Sequence, residues 1–224
     1  ESICPLDSQK KSMEILTKEH IEVIAKDAGF LKVGFSRAAL LDKEISALNY
    51  WNRKGFSADM EYMRRNVSLR ENVRELFPEA SSVISLAVGY SKKAETSERK
   101  KGKVSVYAWG RDYHFIVTEM CLDLISGIRK IDEGFNALIN VDTKPVMDKA
   151  WAVRSGIGWQ GKNSNIINRE FGSFFFLATI ICNREFQYSE QSPDFCGTCT
   201  RCIDACPTGA ITEPYFIDSR RCIS

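Results

Sequence analysis

Five of the eight cysteines lie between Cys196 and Cys222, and their spacing is the strongest chemical signal in the chain. Cys196, Cys199, Cys202 and Cys206-Pro207 form a C-x2-C-x2-C-x3-C-P run. That is the bacterial ferredoxin pattern, in which thiolates hold [4Fe-4S] cubes and the fourth cysteine reaches the other cluster. Tight spacing lets one loop wrap three corners of a cube. Pro207 turns the chain away after the last ligand and has no N–H to satisfy. The plainer readings are a zinc knuckle or disulfides. Structural zinc pairs separated C-x2-C units or adds histidines, so the even stepping and the closing C-P favour iron–sulfur. A cluster moves electrons; their use has to be read from other residues.

Asp142 is the second chemical candidate. It follows an apolar run at 137–141 and precedes Pro145, which is placed to open a helix reaching about Ser155. An acid at a strand end beside a helix start is where open α/β sheets place chemistry. It is equally an N-cap position, and the residues leave both readings open. Gly156-Ile157-Gly158-Trp159-Gln160-Gly161 matches G-x-G-x-x-G, and 156–163 nearly matches a Walker loop. Both motifs need a strand before and a helix after. Here a helix precedes and a strand at 165–168 follows, so NAD and ATP are rejected. The glycines would instead let backbone approach a large ligand, with Lys162 and Asn163 as polar contacts. His114 is a ligand or base candidate, although a hydrogen-bonding histidine at a helix start is the simpler reading. His20 falls on the solvated side of a helix. Cys121 and Cys182 read as packing.

These residues need a scaffold. Spacing predicts a helix over 21–28, a strand over 30–35, a short helix capped by Ser36, and a helix carrying Ile45, Leu48 and Trp51. A helical turn follows at 59–65. The continuous apolar run at 82–90 predicts a central strand. A short strand is expected at 104–109, an amphipathic helix that 110–114 leads into and that ends near 131, a strand at 137–141, a hairpin at Phe171-Gly172, and an aromatic strand at 173–182. Residues 183–193 read as a linker to the cysteines. Arg64, Arg65 and Arg74 fit a solvated face. Residues 91–103, with Lys92, Lys93, Arg99, Lys100, Lys101 and Lys103, form a basic loop able to touch a phosphate backbone.

With 224 residues, 44% of them hydrophobic, the chain can bury one core and carry a small appendage. A net charge of +2 advertises no global nucleic-acid field. No apolar run approaches the ~20 residues of a membrane span. No signal peptide is visible, and cysteines in a metal pattern suit a reducing compartment, so cytoplasm is expected. Residues 1–12 look like a leader or an added segment before Met13. Five candidate ligands fall short of the about eight that two cubes need, so the cluster domain is expected to be cut short at Ser224.

In combination these motifs resemble the epoxyqueuosine reductase family. The likeness rests on Arg70 with Leu76-Phe77-Pro78; Tyr107-Ala108-Trp109-Gly110-Arg111-Asp112-Tyr113-His114; Val141-Asp142-Thr143; Arg154-Ser155-Gly156-Ile157-Gly158-Trp159; Gly161-Lys162-Asn163; Phe171-Gly172-Ser173; Asp194-Phe195-Cys196-Gly197-Thr198-Cys199; and Arg221-Cys222-Ile223-Ser224. Met147-Asp148 departs mildly from the expected Leu-Glu. The resemblance implies an α/β (α+β) sandwich of nitroreductase type, akin to reductive dehalogenases, over 13–190. It holds cobalamin and is followed by a ferredoxin-like domain over 191–224. It implies two [4Fe-4S] clusters, with Cys196, Cys199 and Cys202 on the first and Cys206 and Cys222 on the second. Arg70, Ser105, Asp142, Asn163, Ile166, Leu177 and Ser224 would contact cobalamin. The implied reaction reduces epoxyqueuosine to queuosine at the wobble position of tRNA, using cob(I)alamin fed by the clusters, with Asp142 as general acid. For that role burial should raise the Asp142 pKa. The partners implied are tRNA, held partly by the basic loop and the arginines near Arg64, and an external electron donor; the protein acts as a monomer without a membrane. The rival readings are a plain electron-transfer module and another corrinoid reductase.

Overall fold

The computed structural model describes residues 15–90 and 104–223. The chain opens with α1 (Lys18–Asp27), β1 (Lys32–Arg37), α2 (Asp42–Arg53), the short α3 (Val67–Glu71) and β2 (Ser82–Gly89). Then come α4 (Tyr113–Arg129), β3 (Ala137–Asn140), α5 (Asp148–Arg154), the paired β4 (Trp159–Gln160) and β5 (Ile166–Ile167), and β6 (Phe175–Cys182). The end carries α6 (Arg201–Asp204) and a small hairpin of β7 (Ile211–Glu213) and β8 (Phe216–Ile217).

Four strands form one sheet in the order β1-β2-β6-β3, and every pair is antiparallel. β2 and β6 are the inner strands, which is why both read as nearly unbroken apolar runs. Alternation sorts their side chains to two faces. Ile84 and Leu86 with Ala178, Ile180 and Cys182 meet α1 and α4 through Ile21, Ala25, Val117, Cys121, Leu124 and Ile128. Val83 and Ile181 face the other way, against Ile45 and Leu48 of α2 and Trp151 of α5. The result is an α/β sandwich with helices on both sides of the sheet, and Cys121 and Cys182 are wholly buried packing residues. Burial pushes both thiols up to about 12.

Several expectations are corrected. Ser36 lies inside β1 and is buried, so it caps no helix. Residues 104–109 form no strand. Val106–Ala108 is a 3-10 turn, and Trp109 Nε1 donates to the Val104 carbonyl (2.9 Å), so the segment satisfies itself without a sheet edge. α5 starts at Asp148 and not at Pro145, because Asn140 Oδ1 accepts from the Lys144 N–H (2.8 Å) and holds 141–147 in an irregular turn. Asn168 and Gly172 bridge as expected of a turn, but the flanking β5 and β6 belong to different sheets. His20 has more than a solvated role: its Nδ1 accepts from the Thr17 N–H (3.2 Å) at the start of α1. The expectations on residues 1–12, the basic loop at 91–103 and Ser224 lie outside the described residues. Among the described residues no helix is long and apolar enough to cross a membrane.

Candidate active site

Asp142 sits two residues past the end of edge strand β3, in a left-handed conformation (φ +55°) that few non-glycine residues adopt. It does not cap α5, whose N-cap is Met147. The crevice argument for open parallel sheets does not apply to this antiparallel sheet; a strained turn places the acid instead. The Tyr113 hydroxyl donates to Asp142 Oδ2 at 3.0 Å. His114 Nε2 stands 4.0 Å from the same oxygen, while its Nδ1 pairs with Asp112 Oδ1 at 2.6 Å. Asp112 also caps α4 by accepting the His114 N–H. The Tyr113 ring is stacked between His114 and Phe176 of β6, with centroids 4.0 and 4.1 Å away. Desolvation, and then the bond to Asp142, hold the Tyr113 phenol well above its usual pKa, so it stays a donor. The start of α4 and the turn after β3 thus build one acid cluster.

The expectation that Asp142 is buried is corrected: its side chain is 71% exposed. The more enclosed carboxyl is its neighbour Asp148, which is half-buried. Asn140 Nδ2 donates to both Asp148 oxygens (2.9 and 3.0 Å), and the Thr179 hydroxyl also donates to one of them. Burial nevertheless raises the Asp148 pKa to about 6, with a smaller push from the Asp142 charge. Arg70 is buried and feels the Asp148 charge. Its Nη2 donates to the Tyr62 carbonyl (3.2 Å), and its Nε has no acceptor among the described residues. A buried donor left unpaired costs about 1–3 kcal/mol, so this is a place where a ligand oxygen would be stabilising. Desolvation lowers the Arg70 pKa, as it does that of Lys149, which feels Asp142 too. Lys149 keeps its side chain exposed while surrounding protein limits solvation of its charge, and its Nζ bonds Ser164 O (2.9 Å) and Asn165 Oδ1 (3.2 Å).

Lys149 ties the start of α5 to the loop bearing Asn163, and the charges of Arg70, Asp148, Asp142 and Lys149 act on one another across this part of the molecule. Ile166 and Leu177 share an apolar cluster with Ala87, Ala152, Ile157 and Phe175. Ser105 is exposed ahead of the 106–108 turn, and no hydrogen bond among the described residues joins it to Asp142. The glycines at 156 and 158 serve a purpose other than the expected one. Gly156 has φ +68°, and a Cβ there would strike the Glu190 carbonyl; one at Gly158 would strike that of Ile167. They admit the chain's own backbone rather than a ligand. The three arginines expected on a solvated face are all exposed; Arg64 also pairs with Glu61 (3.2 Å), and Arg74 donates to the Ala38 carbonyl. Tyr113 and Asp148 were not singled out from sequence. The signal for Tyr113 was its place beside the cap Asp112 at a helix start; Asp148 had none.

The cysteine loop is built from short turns. Cys196 N–H donates to Asp194 Oδ1 (2.7 Å), Cys199 N–H to the Cys196 carbonyl (2.9 Å), and Cys202 rides on α6. All five cysteines are unpaired, so no disulfide competes. Cys206 Sγ accepts the Ala210 N–H (3.2 Å), and backbone donors led by Ile211 draw its thiol down to about 7. That donor set suits a thiolate ligand. Among the described residues no three Cys, His, Asp or Glu side chains converge on a single ion. The hairpin β7–β8 docks on α2, where Trp51 Nε1 donates to the Ile217 carbonyl (2.6 Å) and Tyr50 meets Phe216 edge-on.

Two family models match: "Epoxyqueuosine reductase QueG, DUF1730" over residues 70–143 and "4Fe-4S double cluster binding domain" over 195–224. An epoxyqueuosine reductase of Cellulophaga algicola is 40% identical over 212 residues, covering 93% of this chain and 69% of that protein. The solved epoxyqueuosine reductase of Streptococcus thermophilus superposes with a TM-score of 0.86 at 34% identity, over 92% of this chain and 56% of its own. An epoxyqueuosine reductase crystallised with an epoxyqueuosine-modified tRNA-Tyr stem loop matches at 0.86 and 33% identity, with the same coverage. The chain therefore spans somewhat over half the length of these two solved epoxyqueuosine reductases. The first match covers the Arg70-to-Thr143 segment that builds the acid cluster, and the second covers all five cysteines. By this likeness the chain belongs to the epoxyqueuosine reductase family.

Proposed function

We infer that this chain is the cobalamin- and cluster-bearing part of an enzyme that reduces epoxyqueuosine to queuosine in tRNA. The observation that carries the reading is the open carboxyl of Asp142, fixed by Tyr113 and faced by His114 inside the segment matched by the reductase family model. The net reaction takes two electrons and two protons, breaks both C–O bonds of the epoxide, forms a C=C bond and releases water. Cobalamin, when bound, supplies the reducing chemistry at the epoxide, and the clusters supply it with single electrons.

The residues present fit these groups. Arg70 offers its unpaired buried Nε to a corrin amide or phosphate oxygen. Asn163 offers an amide, and Ile166 and Leu177 an apolar wall. Ser105 and Ser224 complete the proposed set. Cys196, Cys199 and Cys202 hold the first cluster, and Cys206 and Cys222 contribute to the second. Asp142 donates the proton to the departing oxygen from Oδ1, the oxygen that Tyr113 leaves free. Tyr113 fixes the carboxyl through Oδ2, His114 stands beside it, and Oδ1 regains its proton from solvent after the step. To act as the acid, the Asp142 carboxyl, now open to solvent, would have to be shielded from water when substrate and cofactor are bound. We assign residues 13–190 to a nitroreductase-like cobalamin domain and 191–224 to the cluster domain. The protein works as a cytoplasmic monomer served by a separate electron donor.

The test is anaerobic reconstitution of the full-length protein with iron, sulfide and cobalamin. Epoxyqueuosine-bearing tRNA should yield queuosine only when both cofactors are present. Turnover without cobalamin would overturn the reading.

A further inference from the structure

We propose that Lys162 is the positioning residue that ties the cofactor-facing loop to the first cluster loop and raises the reduction potential of the cluster held there. The proposal rests on the functional reading above for the cluster itself. Its geometry is independent of that reading. Lys162 Nζ donates to the Gly197 carbonyl at 2.6 Å and to the Cys199 carbonyl at 3.0 Å. Gly197 and Cys199 belong to the turn that carries the first two cysteines, so the ammonium bridges that turn from outside. The same loop grips the cluster segment at a second point. The Tyr215 N–H donates to the Lys162 carbonyl (2.9 Å), and the Ser164 hydroxyl donates to the Tyr215 carbonyl (2.7 Å). Tyr215 then closes the ring: its hydroxyl donates to Asp194 Oδ2 (2.5 Å), whose Oδ1 accepts the Cys196 N–H. Asn163, the proposed cobalamin contact, is the residue between these two anchors.

Two consequences follow from charge. Charge-assisted bonds to both carbonyls hold the Cys196–Cys199 turn in one shape. One electron entering the cluster makes it more negative by one charge, and a fixed cation beside its ligands stabilises that reduced form. Removing the cation while keeping the side chain's length therefore makes reduction harder.

The experiment uses full-length, anaerobically reconstituted protein carrying Lys162→Met, Lys162→Gln or Lys162→Arg. Iron content is measured first, and a dye-mediated redox titration is then followed by electron paramagnetic resonance. The neutral variants should shift the reduced-to-oxidised ratio of one cluster at least tenfold toward oxidised, about 59 mV for one electron. The other cluster should keep its potential, and Lys162→Arg should behave as wild type. If the neutral variants lose iron while Lys162→Arg keeps it, the requirement for a cation is upheld. Full iron with unchanged potentials in both neutral variants would overturn the proposal, as would loss of iron in Lys162→Arg. Wild-type protein that takes up no cluster would instead refute the functional reading, so the two failures are distinguishable.

Discussion

At the scale of single residues, two carboxyls six positions apart have opposite surroundings. Asp142 is open and held in a left-handed turn; Asp148 is half-buried and accepts hydrogen bonds from Asn140 and Thr179. That contrast gives a pH prediction. The folded protein holds the Asp148 proton to about pH 6, whereas an unfolded aspartate releases it near 3.9. Between those values the native state binds the extra proton, so stability falls as pH rises from about 4 through 6. The contribution is on the order of 2–3 kcal/mol. Carboxyls with depressed pKa, such as Asp132 beside Arg184 and Asp218 beside Arg220, act in the opposite sense. The readout is therefore the difference between wild type and Asp148→Asn. Urea midpoints measured from pH 4 to 7 should lose this downward component in the variant, and parallel curves would show that Asp148 is ionised throughout. Asp142 could be found from sequence because it ends an apolar run ahead of a proline. Asp148 could not, because its enclosure depends on Thr179 of β6, thirty-one positions away in the chain.

At the scale of elements, hydrophobic period served well where burial was two-sided. β2 and β6 were legible as apolar runs, and α4 as an amphipathic helix, since local pattern and tertiary burial agree there. The failures fall where hydrogen bonding decides. Residues 104–109 look like a strand but have no sheet edge to join, and the start of α5 is delayed by a side chain of β3. In the loop at 156–161 the glycines at 156 and 158 pack against the chain's own backbone, not against the ligand expected there. Gly156→Ala must strain a positive φ and also displace the Glu190 carbonyl. Gly172→Ala carries a similar φ with nothing within 4 Å of the new methyl. We expect Gly156→Ala to lower unfolding free energy by more than about 1 kcal/mol and by more than Gly172→Ala does. Equal losses in chemical denaturation would show that the Glu190 backbone yields easily.

At the scale of the whole molecule, an antiparallel sheet flanked by helices presents an acid at one edge, and a small cysteine-bearing segment is fastened to the same body. The fastenings are particular: Trp51 to the Ile217 carbonyl, the Ser219 N–H to the Phe56 carbonyl, and Lys162 to the cysteine turn. None of them was visible in the sequence, because each joins residues far apart in the chain through a backbone carbonyl that any residue type could supply. Together they fasten the cysteine-bearing segment to the body that carries Asp142. The central claim is that Asp142 delivers the proton while other residues hold the cofactors. It is tested most directly by single-turnover conversion of epoxyqueuosine-bearing tRNA by full-length Asp142→Asn, reconstituted with clusters and cobalamin. The expected result is unchanged corrin absorption and iron content with queuosine formation reduced at least about a hundredfold, the usual scale of general acid catalysis. Queuosine formation at the wild-type rate would contradict the account.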